Sequence, residues 1–462
     1  MSRIARFATT LLLILPLVCA APFSPRPSNG LALPLKRAQR SQTDVPREIA
    51  HRQIIHSDLK RFAKFANSAA PNEAQMADTI SQSAVELGLY TDYMYNATIR
   101  KVLPGSSTKR AVTMADPASD PKASEGLDID GNDGLYLASV MIGTPSKEFL
   151  IMMDSGSGDF WVGATGCQIM VADSNGNIEG TDQPCASSHP YLGSTTSSTL
   201  VNTKVSFEDF YGTGGVSGVI VSDQVELAGF AMPNYKFGMA TLEEAIFSGM
   251  SGDGLMGLSK SSLSQMGLPS PAQYLYNGGA IPEPITSIKI SRLSDGLNDG
   301  EITFGSLDTT KYVADTLVTL SADNSGFWIG TADGVTVNGN SVGTLSVSSV
   351  VFDTGTSYLY GPLNDVRNIY AQIPGSVENP DQSFYIPCDA SASVAFTFGG
   401  QNFSIDPRDL VTFQATASNM CATTIGGSGG NPTSWLLGDT FLKNVYISLN
   451  EKANTIQLAK LA

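Results

Sequence analysis

The run Met152-Met153-Asp154-Ser155-Gly156-Ser157 recurs 199 positions later as Val351-Phe352-Asp353-Thr354-Gly355-Thr356. Each copy is followed by a second shared element, Gly254-Leu255-Met256-Gly257 in one half and Trp435-Leu436-Leu437-Gly438 in the other. An internal repeat of this kind predicts two similar lobes. Each Asp ends an apolar run (Phe149 to Met153; Val347 to Phe352) and begins a glycine-containing turn, which puts it where a buried strand stops. With 45 Gly, 24 Pro and few stretches of helical period, the chain is predicted to be all-β, with short strands and tight turns.

Charge is distributed unevenly. Residues 1–110 carry 15 basic and 7 acidic side chains, whereas residues 111–462 carry 13 and 36. A net charge of -15 argues against a phosphate-binding surface, so no nucleic-acid partner is expected. Arg3 and Arg6, the apolar run Leu11 to Val18 and the small residue Ala20 read as a signal peptide over 1–20. The run is shorter than the roughly 20 residues a membrane anchor needs. Residues 21–110 read as a basic propeptide ending at the dibasic pair Lys109-Arg110, in a Ser/Thr-rich stretch open to a processing protease. The alternative, a solvated basic tail, does not account for the signal upstream and the dibasic pair downstream. The remainder divides into lobes at 111–320 and 321–462. No membrane anchor and no cofactor is expected, and the mature protein is expected to act as a monomer.

Beyond the signal, four cysteines remain: Cys167, Cys185, Cys388 and Cys421. They allow three pairings, and nearness in sequence favours Cys167 with Cys185 and Cys388 with Cys421. A zinc site has neither CxxC spacing nor a nearby histidine in its favour, so no metal is expected. Asn96 and Asn402 are glycosylation acceptors if the chain is secreted.

Other hydrolytic chemistries find little to work with. His51 and His56 fall in the propeptide, which leaves His189, in a polar loop beside Pro190, as the histidine of the body. It reads as a surface residue rather than a triad member. The GxSxG match at Gly426–Gly430 reads as a flexible glycine loop rather than a strand-to-helix elbow. Asp128, Asp130 and Asn132 open like a calcium loop, but Asp133 and Ser139 stand where Gly and Glu are needed.

The duplicated carboxylates remain. Brought together across two lobes, Asp154 and Asp353 cannot both ionise and would share one proton. Such a pair can activate water, one carboxylate taking its proton while the other, protonated, donates to a peptide carbonyl. Gly156 and Gly355 permit the tight turns, and Ser155, Ser157, Thr354 and Thr356 supply donors.

From about residue 130 onward the chain resembles the pepsin-like aspartic proteases, fungal-type secreted or vacuolar endopeptidases made as preproenzymes. The motifs that carry the likeness are Gly143-Thr144-Pro145, Asp154-Ser155-Gly156-Ser157 with Phe160-Trp161-Val162, and Tyr211-Gly212-Thr213-Gly214-Gly215. Asp253 to Leu258, Asp353 to Ser357 and Leu437-Gly438-Asp439 with Phe441-Leu442 complete them. The resemblance implies a bilobal fold with a cleft between lobes and a β-hairpin flap bearing Tyr211. It implies acid cleavage of proteins and peptides, with Trp161 bracing the Tyr211 hydroxyl and Ser155 and Thr354 cross-linking the active-site loops. Ser155 departs from the family's usual Thr but keeps the hydroxyl.

The same likeness places Met152, Tyr211, Ile246 and Leu255 around the pocket for the residue before the scissile bond, with Gly212 and Thr213 on the flap above it. In some fungal relatives an Asp stands where this chain has Thr213 and pairs with a substrate Lys. Two other readings stay open: a catalytically silent protein of this fold that binds peptide in the cleft, and a glycosidase with paired carboxylates. Intact Asp154, Asp353 and Tyr211 weigh against the first. The duplicated turns and the small number of tryptophans, three, weigh against the second.

Overall fold

The computed structural model describes residues 32–34, 36–37, 47–65 and 136–462, the last span without 173–177, 212–213, 249, 251, 296–298, 381, 416–417 and 429–431. The expected signal peptide, Asn96, Lys109, Arg110, Gly212 and Thr213 lie outside the described residues. Strands dominate, as the composition predicts.

In the first half, the strand Lys147–Asp154 turns from exposed to wholly buried after its second residue, because it is covered on both faces. Its neighbours are Tyr136–Ile142, antiparallel, and Gly254–Gly257, parallel, in a register that sets Gly257 beside Asp154. A parallel pair inside the sheet accounts for the unbroken apolar run before the Asp. The second half repeats this arrangement. Ser349–Phe352 runs parallel to Trp435–Leu437, with Phe352 opposite Leu437. The two shared elements of the repeat are thus the two strands that flank each acidic turn.

The first-half strands form a nine-stranded sheet, and those of the second half a five-stranded sheet with two four-stranded sheets beside it. A six-stranded sheet joins the halves: from Glu301–Phe304 it runs through Ile285–Lys289, Val445–Asn450 and Thr455–Lys460 to Val318–Ser321, with Ile285–Lys289 paired to Val445–Asn450 across the junction. The expected lobe boundary at 320/321 falls within that last strand. At the other edge, Ala32–Pro34 from the basic segment pairs with Glu301–Phe304.

Val201–Tyr211 and Gly214–Leu227 form the antiparallel hairpin anticipated as a flap, with Tyr211 opposite Gly214. Toward its tip, Phe207, Asp209 and Tyr211 face inward while Glu208 and Phe210 face out. Both disulfides join the pairs favoured by sequence, with Cα atoms 5.4 Å apart for Cys167 and Cys185 and 4.9 Å for Cys388 and Cys421.

A 19-residue helix, Arg47–Phe65, lies against the second half. Ile54, Phe62 and Phe65 fall on one side at near-helical spacing and bury against Val351, Tyr358, Tyr360 and Leu436. In the sequence only its C-terminal part, from Asp58 to Phe65, stands out as a basic amphipathic segment, with Leu59, Phe62 and Phe65 set among Lys60, Arg61 and Lys64.

Candidate active site

Each acidic turn holds its own carboxylate. Asp154 accepts from the Gly156 amide at 2.9 Å and the Ser157 hydroxyl at 2.7 Å. Asp353 accepts from the Gly355 amide at 2.8 Å and the Thr356 hydroxyl at 2.5 Å. The glycines also set the distance between the turns: a Cβ on Gly156 would strike the Asp353 carboxylate, and one on Gly355 would strike that of Asp154.

The turns are tied to each other reciprocally. The Ser155 amide donates to Thr354 Oγ1 at 2.9 Å and the Thr354 amide to Ser155 Oγ at 3.0 Å. Each hydroxyl then donates across the interface, Ser155 to the Phe352 carbonyl at 3.0 Å and Thr354 to the Met153 carbonyl at 2.7 Å. Since a Ser hydroxyl makes both bonds, the methyl that Thr would add is not needed. Four buried backbone groups are satisfied this way, which makes the cross-link costly to break.

Both carboxylates are buried and converge on one cation. Arg61, from the helix, pairs with Asp154 through its terminal nitrogen and with Asp353 through Nε at 2.8 Å. It also donates to the Gly355 carbonyl at 3.1 Å. Burial pushes Asp154 up, but the guanidinium and the Ser157 and Gly156 donors outweigh it and hold the acid below its ordinary range. Asp353 is raised to about 6, by burial first and the Asp154 charge next, against the pull of Arg61. Asp58, one turn earlier on the helix, accepts from the Tyr358 amide at 3.1 Å, and burial raises it to about 7.

Met152, two residues before Asp154, lines an apolar cavity together with Leu137, Trp161, Phe247, Met250 and Leu255. Tyr211 packs edge-on to Phe247, and its hydroxyl accepts from Trp161 Nε1 at 2.9 Å. Ile246 does not line this cavity. It is 41% exposed, whereas its neighbour Phe247 lines the cavity. The short helix Ala245–Ser248 turns its faces within one residue, so an offset of one exchanges inside for outside.

Two expectations from the sequence do not hold. His189 is not a surface residue: its ring is nearly buried and meets Asp253 Oδ1 at 2.9 Å, while Oδ2 of that Asp accepts from the Leu150 amide. The Gly-rich match at 426–430 is not simply a loop, because Ile425–Ser428 is a strand. Its Ser428 hydroxyl is committed to the Gly361 carbonyl at 2.9 Å. Neither group is presented as a nucleophile or base. Asn402 is exposed on the strand Gln401–Ile405.

The model of the eukaryotic aspartyl protease family matches residues 135–461, which span both turns and the flap. The chain belongs to that family. Relatives include the aspartic-type endopeptidase ctsD of Aspergillus fumigatus, 32% identical over 73% of this chain and 68% of the relative. Rhizopuspepsin-4 of Rhizopus niveus is 32% identical over 72% of this chain and 79% of its own length. Pepsin A of Suncus murinus is 27% identical over 83% and 93%. As a eukaryotic aspartyl protease the protein is a peptide hydrolase. Among the described residues, no helix is long and apolar enough to cross a membrane.

Proposed function

We propose that the protein is an acid endopeptidase made as a latent precursor, with Asp154 and Asp353 as its catalytic pair. The observation that carries this reading is the convergence of the two carboxylates, each fixed by its own turn, on a single guanidinium. Once that cation leaves, two buried acids share a proton and titrate as a unit. One takes a proton from water as the water oxygen bonds to the scissile carbonyl carbon, and the other donates its proton to the carbonyl oxygen. Collapse of the resulting diol breaks the C–N bond as a proton passes to the leaving nitrogen. Catalysis by this route needs no cofactor and forms no covalent enzyme intermediate.

Residues 21–110 are the inhibitory propeptide in this account, following a signal peptide over 1–20 and released after Lys109-Arg110. The docked helix supports it, since Arg61 stands between the carboxylates where water must be activated. The pH dependence of release follows from opposing signs. Asp154 is depressed by the pairing, so its share of the docking free energy is present above its ordinary value of 3.8 and lost as pH falls below it. Asp58, carried by the helix itself, is raised to about 7 by burial, so it takes up a proton on docking and favours the docked helix as pH falls toward 3.8. Release is therefore placed below that value, where Asp154 is neutralised. Two disulfides fit an oxidising compartment, and we place the mature enzyme outside the cell or in a vacuole.

Substrate preference follows from the apolar cavity. Met152, Leu255 and Phe247 offer no counter-charge to a substrate cation, and Thr213, where some fungal relatives have Asp, carries none. Burying an unpaired ammonium costs several kcal/mol, whereas a buried Leu gains roughly 1.5 to 3 kcal/mol. A peptide library digested by the mature enzyme should be cut after Leu, Phe or Met and very rarely after Lys. Thr213→Asp should recover some cleavage after Lys. Equal cleavage after Lys and Leu by the unmodified enzyme would overturn the pocket assignment.

A further inference from the structure

On the inward face of the flap strand, between the apolar Phe207 and the aromatic Tyr211, stands a carboxylate. Asp209 is 4% exposed, and Asp209 Oδ2 accepts the Tyr211 hydroxyl proton at 2.7 Å. The same hydroxyl accepts from Trp161 Nε1 at 2.9 Å. Indole nitrogen is a donor only, so the Trp161 bond leaves the phenol's own hydrogen to find an acceptor elsewhere. Asp209 is that acceptor, and an ionised carboxylate makes the bond a charge-assisted one. Burial first, and the Asp209 charge and hydrogen bond next, push Tyr211 well above its ordinary range, so the phenol stays a donor.

We propose that Asp209 is a positioning residue that fixes the flap tyrosine over the catalytic pair. Trp161 belongs to the body of the lobe, held in register opposite Leu255 on the strand that flanks Asp154. Asp209 belongs to the flap itself. The Tyr211 hydroxyl is thus fastened at two points, one on each side of the joint between flap and body. With the Trp161 bond alone, the hydroxyl hydrogen is unassigned and the ring can settle in more than one pose. Because the flap must close over substrate in a single geometry to align the scissile carbonyl, a loosened ring lowers turnover more than it lowers binding.

The inference rests on the proposed roles of Asp154, Asp353 and the flap, and its test separates the two. In the mature enzyme, Asp209→Leu, close in volume and unable to accept, should lower kcat by about 10- to 100-fold with a smaller change in KM. Asp209→Asn keeps a carbonyl oxygen for the phenol and should lose no more than about threefold in kcat. Tyr211→Phe should lower kcat, and adding Asp209→Leu to it should lower kcat little further, because the bond being removed is already gone. The cycle uses only soluble, folded variants, with Asp209→Ala as the substitute should the Leu variant fail to fold. Unchanged kcat in the Leu or Ala variant, an Asn variant as impaired as Leu, or fully additive losses with Tyr211→Phe would each overturn the positioning role. Asp154→Asn measured alongside keeps the outcomes distinct: substantial activity in that variant would sink the catalytic pair, whatever Asp209 does.

Discussion

Asp353→Asn is expected to remove nearly all peptidase activity, at least about 10²- to 10⁴-fold in kcat/KM, while leaving the protein folded. An amide can neither share the proton of the pair nor take one from water, so the reaction loses its acid and its base together. The fold should survive because Asn keeps an oxygen for the Gly355 amide, which donates to Asp353 at 2.8 Å. Its amide nitrogen can then donate to the Thr356 hydroxyl, which turns to accept. Asp154→Asn should behave the same way, with Ser157 in the place of Thr356. Mature enzyme of each variant, assayed on a peptide with apolar residues at the scissile bond, gives the comparison. Substantial turnover by either variant would remove the assignment of the pair.

Arg61→Ala is expected to end latency in a precursor whose Lys109 and Arg110 are both replaced by Ala. The guanidinium is the cation that meets both carboxylates, and all three groups are buried. Removing it leaves two facing carboxylates buried beneath the helix without their cation, a loss of roughly 3–5 kcal/mol for a buried pair deprived of one partner. At about pH 5.5, above the range where Asp154 is neutralised, that raises the undocked fraction by roughly a few hundred-fold or more. Arg61→Lys should fall between, since a single ammonium cannot span two acids as a planar fork does. The readout is kcat/KM of the uncleaved precursor relative to mature enzyme, with gel analysis confirming that no cleavage has occurred. An Arg61→Ala precursor as silent as its parent would show that latency comes from elsewhere.

Much of this site is legible in the chain because duplication is a strong signal. Two matching apolar runs that end in the same turn fix which carboxylates meet, and the flanking Gly254–Gly257 and Trp435–Leu437 fix how each is supported. Tyr211 and Trp161 were readable only as members of that set. The rest is hidden in the sequence for physical reasons. Asp209 reads as an exposed charge, and only the alternation of Phe207 and Tyr211 around it turns it inward. His189 sits in a polar loop, and its partner Asp253 lies 64 residues away. Ile246 and Phe247 are neighbours on one short turn, where a shift of one position reverses exposure. The helix Arg47–Phe65 is legible only from Asp58 onward, because His51, Arg52 and His56 interrupt the apolar pattern of its earlier turns. The strand at Ile425–Ser428 escaped because glycine weakens every local strand preference and tertiary pairing with Leu359–Pro362 supplies the order.

The central claim is that one pair of aspartates, sharing a proton, activates water. Titration of the mature enzyme's acid proteolysis with pepstatin, whose hydroxyl-bearing carbon imitates the hydrated peptide carbonyl, tests it most directly. Activity should fall linearly and reach zero at one inhibitor per enzyme, with no binding to the Asp353→Asn variant at the same concentrations. Acid proteolysis indifferent to stoichiometric inhibitor would contradict it.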